Sequence, residues 1–255
     1  MLRRHEISDA DRNRIKDFLP GQPGQHGGVA DDNRRFINAV LWIARTGAPW
    51  RALPERLGNG NSPWRRFDRW AAQGRLARVA DVLRDPDLDV LILDSTVIRA
   101  HSCADGAKKV GWPRRQEEQA LGRSRGDFGT KIHGSFNGRG HPVVVSLMAG
   151  QALDIGPAET LLRTHTPKAV IADKGYDSND FVAMIQKRGA AAVIPPKANR
   201  LEPRAYDRHT YKERNLVERF WSKAKQCRRV APRYEKKAAN FLAFVQMAAI
   251  MGMLQ

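Results

Sequence analysis

The chain of 255 residues is long enough for one large domain or two small ones, and its 42% hydrophobic residues can supply a sizeable core. Its 44 Lys and Arg against 27 Asp and Glu give a formal charge of +17, which favours a polyanionic partner such as nucleic acid and disfavours a small-molecule enzyme. The two cysteines exclude a disulfide framework and a cysteine-rich zinc module, and they indicate a reducing compartment.

No segment of the sequence predicts secretion or a membrane span. Residues 1–6 lack the apolar stretch of a signal peptide. The most apolar segment, residues 241–254, contains Gln246 and is shorter than the ~20 residues that a membrane helix needs. We therefore expect a cytoplasmic protein.

Residues 1–85 predict a small all-helical domain made of short helices joined by Gly and Pro turns. Ser8 is suited to cap the first helix. Apolar residues then recur at helical spacing and end at Gly47. Ser62 followed by Pro63 predicts the start of a third helix.

The third helix is amphipathic in an unusual way, because its predicted outer face is rich in arginine. The expected inner residues are Trp64, Phe67 and Trp70, and the expected outer residues are Arg65, Arg66 and Arg69. Short helices with an Arg-rich face are typical of a helix-turn-helix-like DNA-binding domain. The alternative is a helical subdomain whose arginines only form a solvated face.

Residues 86–255 predict a mixed sheet covered by helices on both faces. A buried strand is followed by a β-hairpin, after which strands and helices alternate, and the chain closes with two helices. Residues 102–128 indicate a polar loop or insertion. The predicted strands are residues 90–93, 130–136, 142–148, 169–172 and 191–194, with a hairpin turn at 137–140 and helices at 156–164 and 179–188.

Two aspartates lie at strand positions that suggest a function: one where burial of a carboxylate costs free energy, and one at a sheet edge that commonly binds ligands. Asp94 follows four apolar residues of a buried strand, where an unpaired carboxylate is expensive. Asp173 ends another short strand just before a glycine turn, at the sheet edge where α/β proteins bind ligands. Each aspartate taken alone could equally be a capped or salt-bridged strand end.

A third acid lies on a basic helix that the sequence predicts to begin at Tyr211, with Thr210 as its N-cap. At about 100° per residue, Tyr211, Arg214, Glu218 and Lys225 fall within an arc of roughly 60°, opposite an apolar face. A single acid in so basic a stripe suits a cation site beside phosphate-binding groups. The alternative is a solvated face with casual ion pairs.

The three carboxylates could together hold two Mg²⁺ or Mn²⁺ ions, because hard oxygen ligands suit these cations. Two such ions, about 3.5–4 Å apart, activate the attacking oxygen and stabilise the leaving oxygen in phosphoryl transfer. Zinc is a poorer match, since the seven histidines are scattered and the sequence has no second Cys/His pair to join His101 and Cys103.

The motifs resemble those of insertion-sequence transposases of the IS4/IS5 superfamily, in particular the short bacterial IS5-type enzymes. Three stretches carry the resemblance: residues 93–101, residues 172–178, and Tyr211-x2-Arg214-x3-Glu218-x6-Lys225, which fits the family signature at every spacing. The resemblance covers essentially the whole chain. It departs after Gln151, where relatives often have a His-Asp pair and this chain has Leu153-Asp154, and over residues 102–128, which match loosely.

The resemblance implies a ribonuclease-H-like α/β catalytic domain preceded by the small helical domain. By motif position, Asp94, Asp173 and Glu218 would be the catalytic, metal-binding DDE triad, and Tyr211, Arg214 and Lys225 would contact DNA. The implied activity is metal-dependent cleavage and strand transfer at the ends of an insertion sequence. The implied partners are the terminal inverted repeats and target DNA, bound by a homodimer in a bacterial, nucleoid-associated setting.

Two rival functions stay open on the sequence alone. A non-catalytic DNA-binding repressor would use the helical region but leaves the three carboxylates unexplained. A related nuclease would hydrolyse DNA without joining it, and the sequence barely separates it from a transposase.

Overall fold

The structure is a computed structural model that describes residues 5–24, 29–30, 32–105, 119–124, 127–151, 155–162 and 165–254. In chain order its longer elements are α1 (Asp9–Ile15), α2 (Asn33–Thr46), α3 (Asn61–Ala72), α4 (Arg75–Leu83), β1 (Val90–Arg99), α5 (Ser102–Asp105), β2 (Gly122–Ser124), β3 (Asp127–Asn137), β4 (Pro142–Ala149), α6 (Ile155–Leu162), β5 (Ala169–Ala172), α7 (Asn179–Lys187), β6 (Ala191–Val193), α8 (Arg208–Tyr211), α9 (Asn215–Lys225) and α10 (Ala238–Leu254). Short 3₁₀ helices lie at Lys16–Phe18, Trp50–Ala52, Glu55–Leu57, Lys174–Tyr176 and Lys212–Arg214.

Internal contacts divide the chain into two compact units. The first groups residues 1–83, 100–108 and 223–255, and the second groups residues 84–99 and 109–222. The helical first unit thus includes the C-terminal helix α10. The prediction of a DNA-binding domain at residues 1–85 and a catalytic domain at residues 86–255 concerns function, and it stays a prediction.

The predicted ends of the first two helices are confirmed. The Ser8 hydroxyl accepts a hydrogen bond from the Asp11 amide at 3.0 Å, which caps α1. Gly47 ends α2 in the left-handed region (φ 71°), where a Cβ would also lie 2.9 Å from the Cβ of Arg228. The third helix begins at Asn61, so Ser62 lies inside its first turn and the predicted cap is wrong.

Helix α3 buries two of its three predicted inner residues. Phe67 and Trp70 are buried, but Trp64 is 38% exposed, so that part of the prediction is wrong. Arg66 is not fully solvated: its guanidinium stacks 4.3 Å above the Phe36 ring and 4.8 Å above the Trp70 ring. This stacking lets a long cationic side chain cover the apolar seam while its charge stays accessible.

The apolar helix α10 packs against α2, α3 and α4 and buries ten of its residues. Asp68 of α3 fixes its start by accepting hydrogen bonds from Lys237 at 2.8 Å and from Asn240 at 2.9 Å. Arg14 donates to the carbonyls of Met253 and Leu254 at the other end. The helix is apolar all round because it fills the centre of the helical unit.

The second unit contains one mixed sheet of six strands among the described residues, ordered β2-β3-β1-β5-β6, with β4 also paired to β3. Strand β1 pairs antiparallel with β3 and parallel with β5, and β5 pairs parallel with β6. The predicted hairpin is confirmed by the β3–β4 pairing. Its turn needs glycine at Gly140, which has φ 75° and where a Cβ would lie 3.1 Å from the Cβ of Leu216 in α9.

The two faces of the sheet bury different helices. Leu91 and Leu93 of β1 share one core with residues of α6 and α7. Because side chains alternate along a strand, Ile92 and Asp94 point to the opposite face. There Phe136, the partner of Ile92 in β3, contacts the rings of Phe220 and Trp221 in α9. Asp94 therefore faces α9.

Within the predicted loop at 102–128, the structure has helix α5, strand β2 and the first two residues of β3, while residues 106–118 and 125–126 lie outside the described residues. The strands and the two helices predicted between residues 130 and 194 are confirmed, with end points that differ by up to three residues. The last two residues of the predicted helix 156–164 lie outside the described residues.

Candidate active site

Asp94 is a buried carboxylate on the central strand of the sheet. It follows the fully buried residues Leu91 to Leu93 in β1, and it is only 6% exposed itself. Strand β1 continues past it to Arg99, and the antiparallel pairing with β3 continues with it, so Asp94 lies opposite Gly134 within the ladder rather than at a strand end. The backbone that carries this carboxylate is thus fixed before any ligand binds.

Both oxygens of Asp94 have a side-chain partner from the α8–α9 region. Arg214 donates to Oδ1 at 2.9 Å, and the Trp221 indole donates to Oδ2 at 3.0 Å. Burial nevertheless raises the pKa of Asp94 above its ordinary value; Arg214 and Trp221 offset part of the rise, and the nearby charge of Asp173 adds to it. The site therefore resists negative charge unless a cation accompanies it.

Asp173 lies beside Asp94 in the sheet register. The parallel pairing of β1 and β5 ends at Leu93 and Ala172, so the two aspartates are the next residues of adjacent strands. Asp173 keeps an extended backbone (φ −77°, ψ 174°), which by strand alternation directs its side chain to the same face as Asp94. Its Oδ1 accepts the Gly175 amide at 2.8 Å, which begins the 3₁₀ turn after β5.

The helix that carries the third acid begins earlier than predicted. Asp207, not Thr210, caps α8, because its carboxylate accepts the His209 and Thr210 amides at 2.8 and 3.2 Å. The predicted start at Tyr211 is therefore wrong. The helical stretch tightens into a 3₁₀ turn at Lys212–Arg214 before α9, which places Arg214 at the junction.

Glu218 and Asp94 meet at one guanidinium. Arg214 Nη1 lies 2.5 Å from Glu218 Oε1, while its Nη2 lies 2.9 Å from Asp94 Oδ1. Burial lowers the pKa of Arg214, but the attraction of Asp94 outweighs it, so the net pKa is raised and the group stays cationic. The Glu218 side chain is 55% exposed, so this acid remains open to solvent and to ligands.

Tyr211 interacts electrostatically with Asp173, Arg214 and Glu218. Burial raises the pKa of its phenol; Arg214 lowers it, and Asp173 and Glu218 raise it further. The phenol therefore stays protonated at neutral pH and can donate a hydrogen bond. Lys225, the last residue of α9, belongs to the part of the chain grouped with the first unit.

The donor set suits a hard divalent cation, although the site is not preassembled. Within the described ranges, no group of three or more His, Cys, Asp and Glu lies close enough to hold a metal ion. The Arg214 guanidinium, itself a cation, lies between the carboxylates of Asp94 and Glu218. Carboxylate oxygens that already share a positive group are chemically suited to Mg²⁺ or Mn²⁺.

Sequence reasoning missed two residues of this region. Trp221 is three residues after Glu218, and residues three apart are neighbours on a helix surface. This spacing could have indicated that Trp221 lies near the acids. Asp177 is buried and binds Arg200, Arg204 and the Lys197 amide, which anchors the segment that leads into α8. No local pattern pointed to this cluster, because its partners lie at least twenty positions away.

A match to a known family identifies the kind of protein to which this chain belongs. Residues 85–253 match the family described as "Transposase DDE domain", and the chain belongs to that family of DNA transposases. Its helical region narrows the class: residues 7–80 match a family described as "Putative transposase of IS4/5 family". The resemblance inferred from the motifs is thereby confirmed.

Individual relatives agree with this placement. One is the uncharacterized protein y4sN of Sinorhizobium fredii, which is 43% identical over 104 residues, or 40% of this chain and 83% of that protein. Another is described as "Putative transposase for insertion sequence element IS6501" of Brucella ovis and is 34% identical over 124 residues, or 48% of this chain and 95% of that protein.

A solved structure shares the fold. The cryo-EM structure of the piggyBac transposase synaptic complex with hairpin DNA superposes with a TM-score of 0.51 at 10% identity, covering 96% of this chain and 72% of that chain. Together with the family match, this confirms the expected ribonuclease-H-like α/β fold with a helical N-terminal region. No helix of the described residues is both long and apolar enough to span a membrane.

Proposed function

We propose that this transposase cuts and joins DNA at the ends of its insertion sequence with Asp94, Asp173 and Glu218 as the catalytic, metal-binding triad. One observation carries the proposal: Asp94 and Glu218, which are far apart in the sequence, share the Arg214 guanidinium. Asp173 adds a third carboxylate at the next position of the neighbouring strand. Such a concentration of acid on a strongly basic chain suits cation binding.

The proposed cofactor is Mg²⁺ or Mn²⁺, with two ions bound. When bound, such ions would supply Lewis acidity to the attacking and leaving oxygens of a phosphodiester. Asp94 and Asp173 would hold them from the sheet, and Glu218 would hold them from the helix. Burial of Asp94 favours this role, because a carboxylate that resists charge in isolation gains most from a cation.

The reaction proposed is a hydrolysis of one phosphodiester followed by a transesterification. Water attacks the phosphorus at the transposon end; a new P–O bond forms, the bond to the 3′ oxygen breaks, and the leaving oxygen takes up a proton as a 3′-hydroxyl. That hydroxyl then attacks a phosphodiester of target DNA; a new P–O bond forms, the bond from phosphorus to the target strand's own 3′ oxygen breaks, and that oxygen leaves as a 3′-hydroxyl after taking up a proton. Each step exchanges one phosphodiester bond or hydrolyses it, so no external energy source is needed.

Tyr211, Arg214 and Lys225 are the proposed DNA contacts. Arg214 forms its two ion pairs with the triad in the DNA-free protein. We expect its guanidinium to move to a DNA phosphate when cations neutralise the acids, because Arg binds phosphate in the same bidentate way as carboxylate. The Tyr211 phenol, protonated at neutral pH, can donate to a neighbouring phosphate oxygen.

The remaining proposals concern assembly and location. The helical region of residues 1–85 would bind double-stranded DNA of the terminal inverted repeats in a helix-turn-helix-like manner, with Arg65 and Arg69 exposed on α3. The active form on DNA would be a homodimer, with one protomer acting at each end. The protein would work in the bacterial cytoplasm, associated with the nucleoid.

The decisive experiment replaces Asp94 by Asn, which keeps the shape but removes the charge. Metal-dependent cleavage of end-bearing DNA should fall on the order of 10³-fold, since several kcal/mol of transition-state stabilisation depend on the metal site. End binding in a mobility-shift assay should be nearly unchanged. Asp180→Asn, an exposed aspartate on α7, is the matched control.

Cleavage at the wild-type rate by the Asp94→Asn protein would refute the triad. A second assay with a pre-cleaved end separates a transposase from a nuclease: the proposal requires joining to target DNA, and hydrolysis without joining would contradict it.

A further inference from the structure

The two oxygens of Asp94 are not equivalent in this structure. Oδ1 accepts a hydrogen bond from Arg214 at 2.9 Å, and the same guanidinium also pairs with Glu218. Oδ2 accepts the indole N–H of Trp221 at 3.0 Å, and Trp221 is only 5% exposed. Oδ2 is thus paired with an uncharged indole donor, whereas Oδ1 is paired with a cationic side chain.

Aromatic packing fixes the Trp221 donor. Its ring meets Phe136 of β3 edge-on, with centroids 5.5 Å apart and planes at 84°. It also meets Phe220 at 5.0 Å and 67°. Edge-to-face contacts of this kind restrict how the indole can rotate. This packing holds the N–H towards Asp94.

The same hydrogen bond connects the two elements that carry the first and third acids. Trp221 lies three residues after Glu218 on α9, and Asp94 lies on β1. Residues three apart on a helix lie close together on its surface. A bond from Trp221 to Asp94 consequently restrains the distance between the Asp94 and Glu218 carboxylates.

We propose that Trp221 is a positioning residue for the metal-dependent reaction: its indole N–H fixes the orientation of the Asp94 carboxylate and the spacing between Asp94 and Glu218. This inference rests on the proposed metal-binding role of Asp94. Trp221 touches neither cation nor DNA in this assignment and acts only through Asp94. Groups that orient a metal ligand in this way commonly change metal affinity 10- to 100-fold when they are removed.

The competing explanation is that Trp221 only fills space beneath the sheet. Packing and hydrogen bonding can be separated chemically, because replacing the indole N–H by sulfur, as in 3-benzothienylalanine, keeps the bicyclic shape and removes the donor. Trp221→Phe removes the donor together with part of the ring. If Trp221→Phe fails to fold, the benzothienyl protein still tests the hydrogen bond.

The experiment is a Mn²⁺ titration of the full chain followed by electron paramagnetic resonance, with thermal unfolding measured in parallel. We expect the benzothienyl and Trp221→Phe proteins to bind Mn²⁺ roughly 10- to 100-fold more weakly than the unaltered chain. The benzothienyl protein should keep the melting temperature of the unaltered chain to within a few degrees. Trp64→Phe, a substitution of an exposed tryptophan on α3, should bind Mn²⁺ normally.

The outcomes distinguish this inference from the proposed function. Unchanged Mn²⁺ affinity in a folded benzothienyl protein, with affinity lost in Asp94→Asn, would overturn the role of Trp221 and leave the triad intact. Mn²⁺ binding that is absent from the unaltered chain, or unaffected by Asp94→Asn, would overturn both.

Discussion

Replacing Arg214 by Gln should destabilise the metal-free protein and make it respond more strongly to divalent cations. The substitution leaves the buried Asp94 with only its Trp221 hydrogen bond, and it leaves Glu218 without the guanidinium. A cation that enters this pocket then no longer has to displace a positive side chain. Loss of the guanidinium thus both lowers the stability of the metal-free protein and increases the stabilisation that a bound cation provides.

The size of the loss follows from burial. Removing one member of a buried ion pair costs about 3–5 kcal/mol, and exposed pairs are worth about 0–1 kcal/mol. The Asp94 side chain is 8% exposed, Arg214 is 21% exposed and Glu218 is 55% exposed, so the first pair dominates. Because Arg214 is partly exposed, solvent screens part of this cost, and we expect a loss of about 2–3 kcal/mol, or a fall in melting temperature of roughly 4–12 °C.

The loss should depend on pH in a defined direction. Burial holds the pKa of Asp94 above its ordinary value, and removing Arg214 takes away a group that lowers it. In the interval between the unfolded and folded pKa values, the unfolded chain has already released the proton, so stability falls as pH rises. The deficit of Arg214→Gln should consequently be larger at neutral pH than in acid, below the raised pKa of Asp94, where that carboxyl is protonated in the folded protein.

The assay is thermal unfolding with a chelator and then with saturating Mg²⁺. A ligand present at about 100 times its Kd adds about 2.7 kcal/mol to the folded state, and the variant should recover more than the unaltered chain. Arg219→Gln, an exposed arginine on the same helix, is the control. An Arg214→Gln protein as stable as the unaltered chain without metal, or an equal Mg²⁺ shift in both, would show that Arg214 does not hold the place of a cation between the two acids.

Two further predictions concern the segment before α8 and the end of α9. Asp177→Asn should destabilise the protein by about 3 kcal/mol, because it removes the buried acid that pairs with Arg200 and Arg204. Burial raises the pKa of Asp177, but its hydrogen bonds and the two arginines outweigh this and lower it overall, so its contribution is present above the ordinary Asp pKa and is lost as pH falls through the lowered value. In urea unfolding measured across this pH range, the variant should lack the part of the fall in unfolding free energy that Asp177 causes in acid. An equal pH dependence of the unfolding free energy in both proteins would contradict this prediction. Lys225→Gln should lower the slope of log affinity against log salt for end DNA by about 1, whereas Lys223→Gln, on another face of the helix, should leave it unchanged; equal slopes for the Lys225 variant and the unaltered chain would exclude a phosphate contact.

Local patterns in the sequence predicted most of the secondary structure. The apolar run before Asp94, the glycine-containing turn at 137–140 and the short strand before Asp173 each depend on neighbouring residues, and all three are present. The local pattern did not identify the helix cap where two nearby residues both suit that position. Asp207 and Thr210 both suit a helix cap, and Asp207 takes the position because its charged carboxylate accepts two amides.

The exposed Trp64 shows a second limit of periodicity. Its helical phase is compatible with a buried face, but the packing of α3 against α2 and α10 buries Phe67 and Trp70 instead. Which part of an amphipathic face is covered depends on the partners, and these come from distant parts of the chain.

By itself, the sequence determined the kind of protein, because the acids, the strands that carry them and the spacing from Tyr211 to Lys225 are local properties of the chain. The side chains that bind the Asp94 carboxylate became known from the tertiary structure alone. Arg214 meets Asp94 from 120 positions away, and Trp221 meets it from 127 positions away. These contacts arise from seating α9 on the face of the sheet opposite α6 and α7, and such packing between distant elements leaves no spacing in the sequence from which it could be inferred.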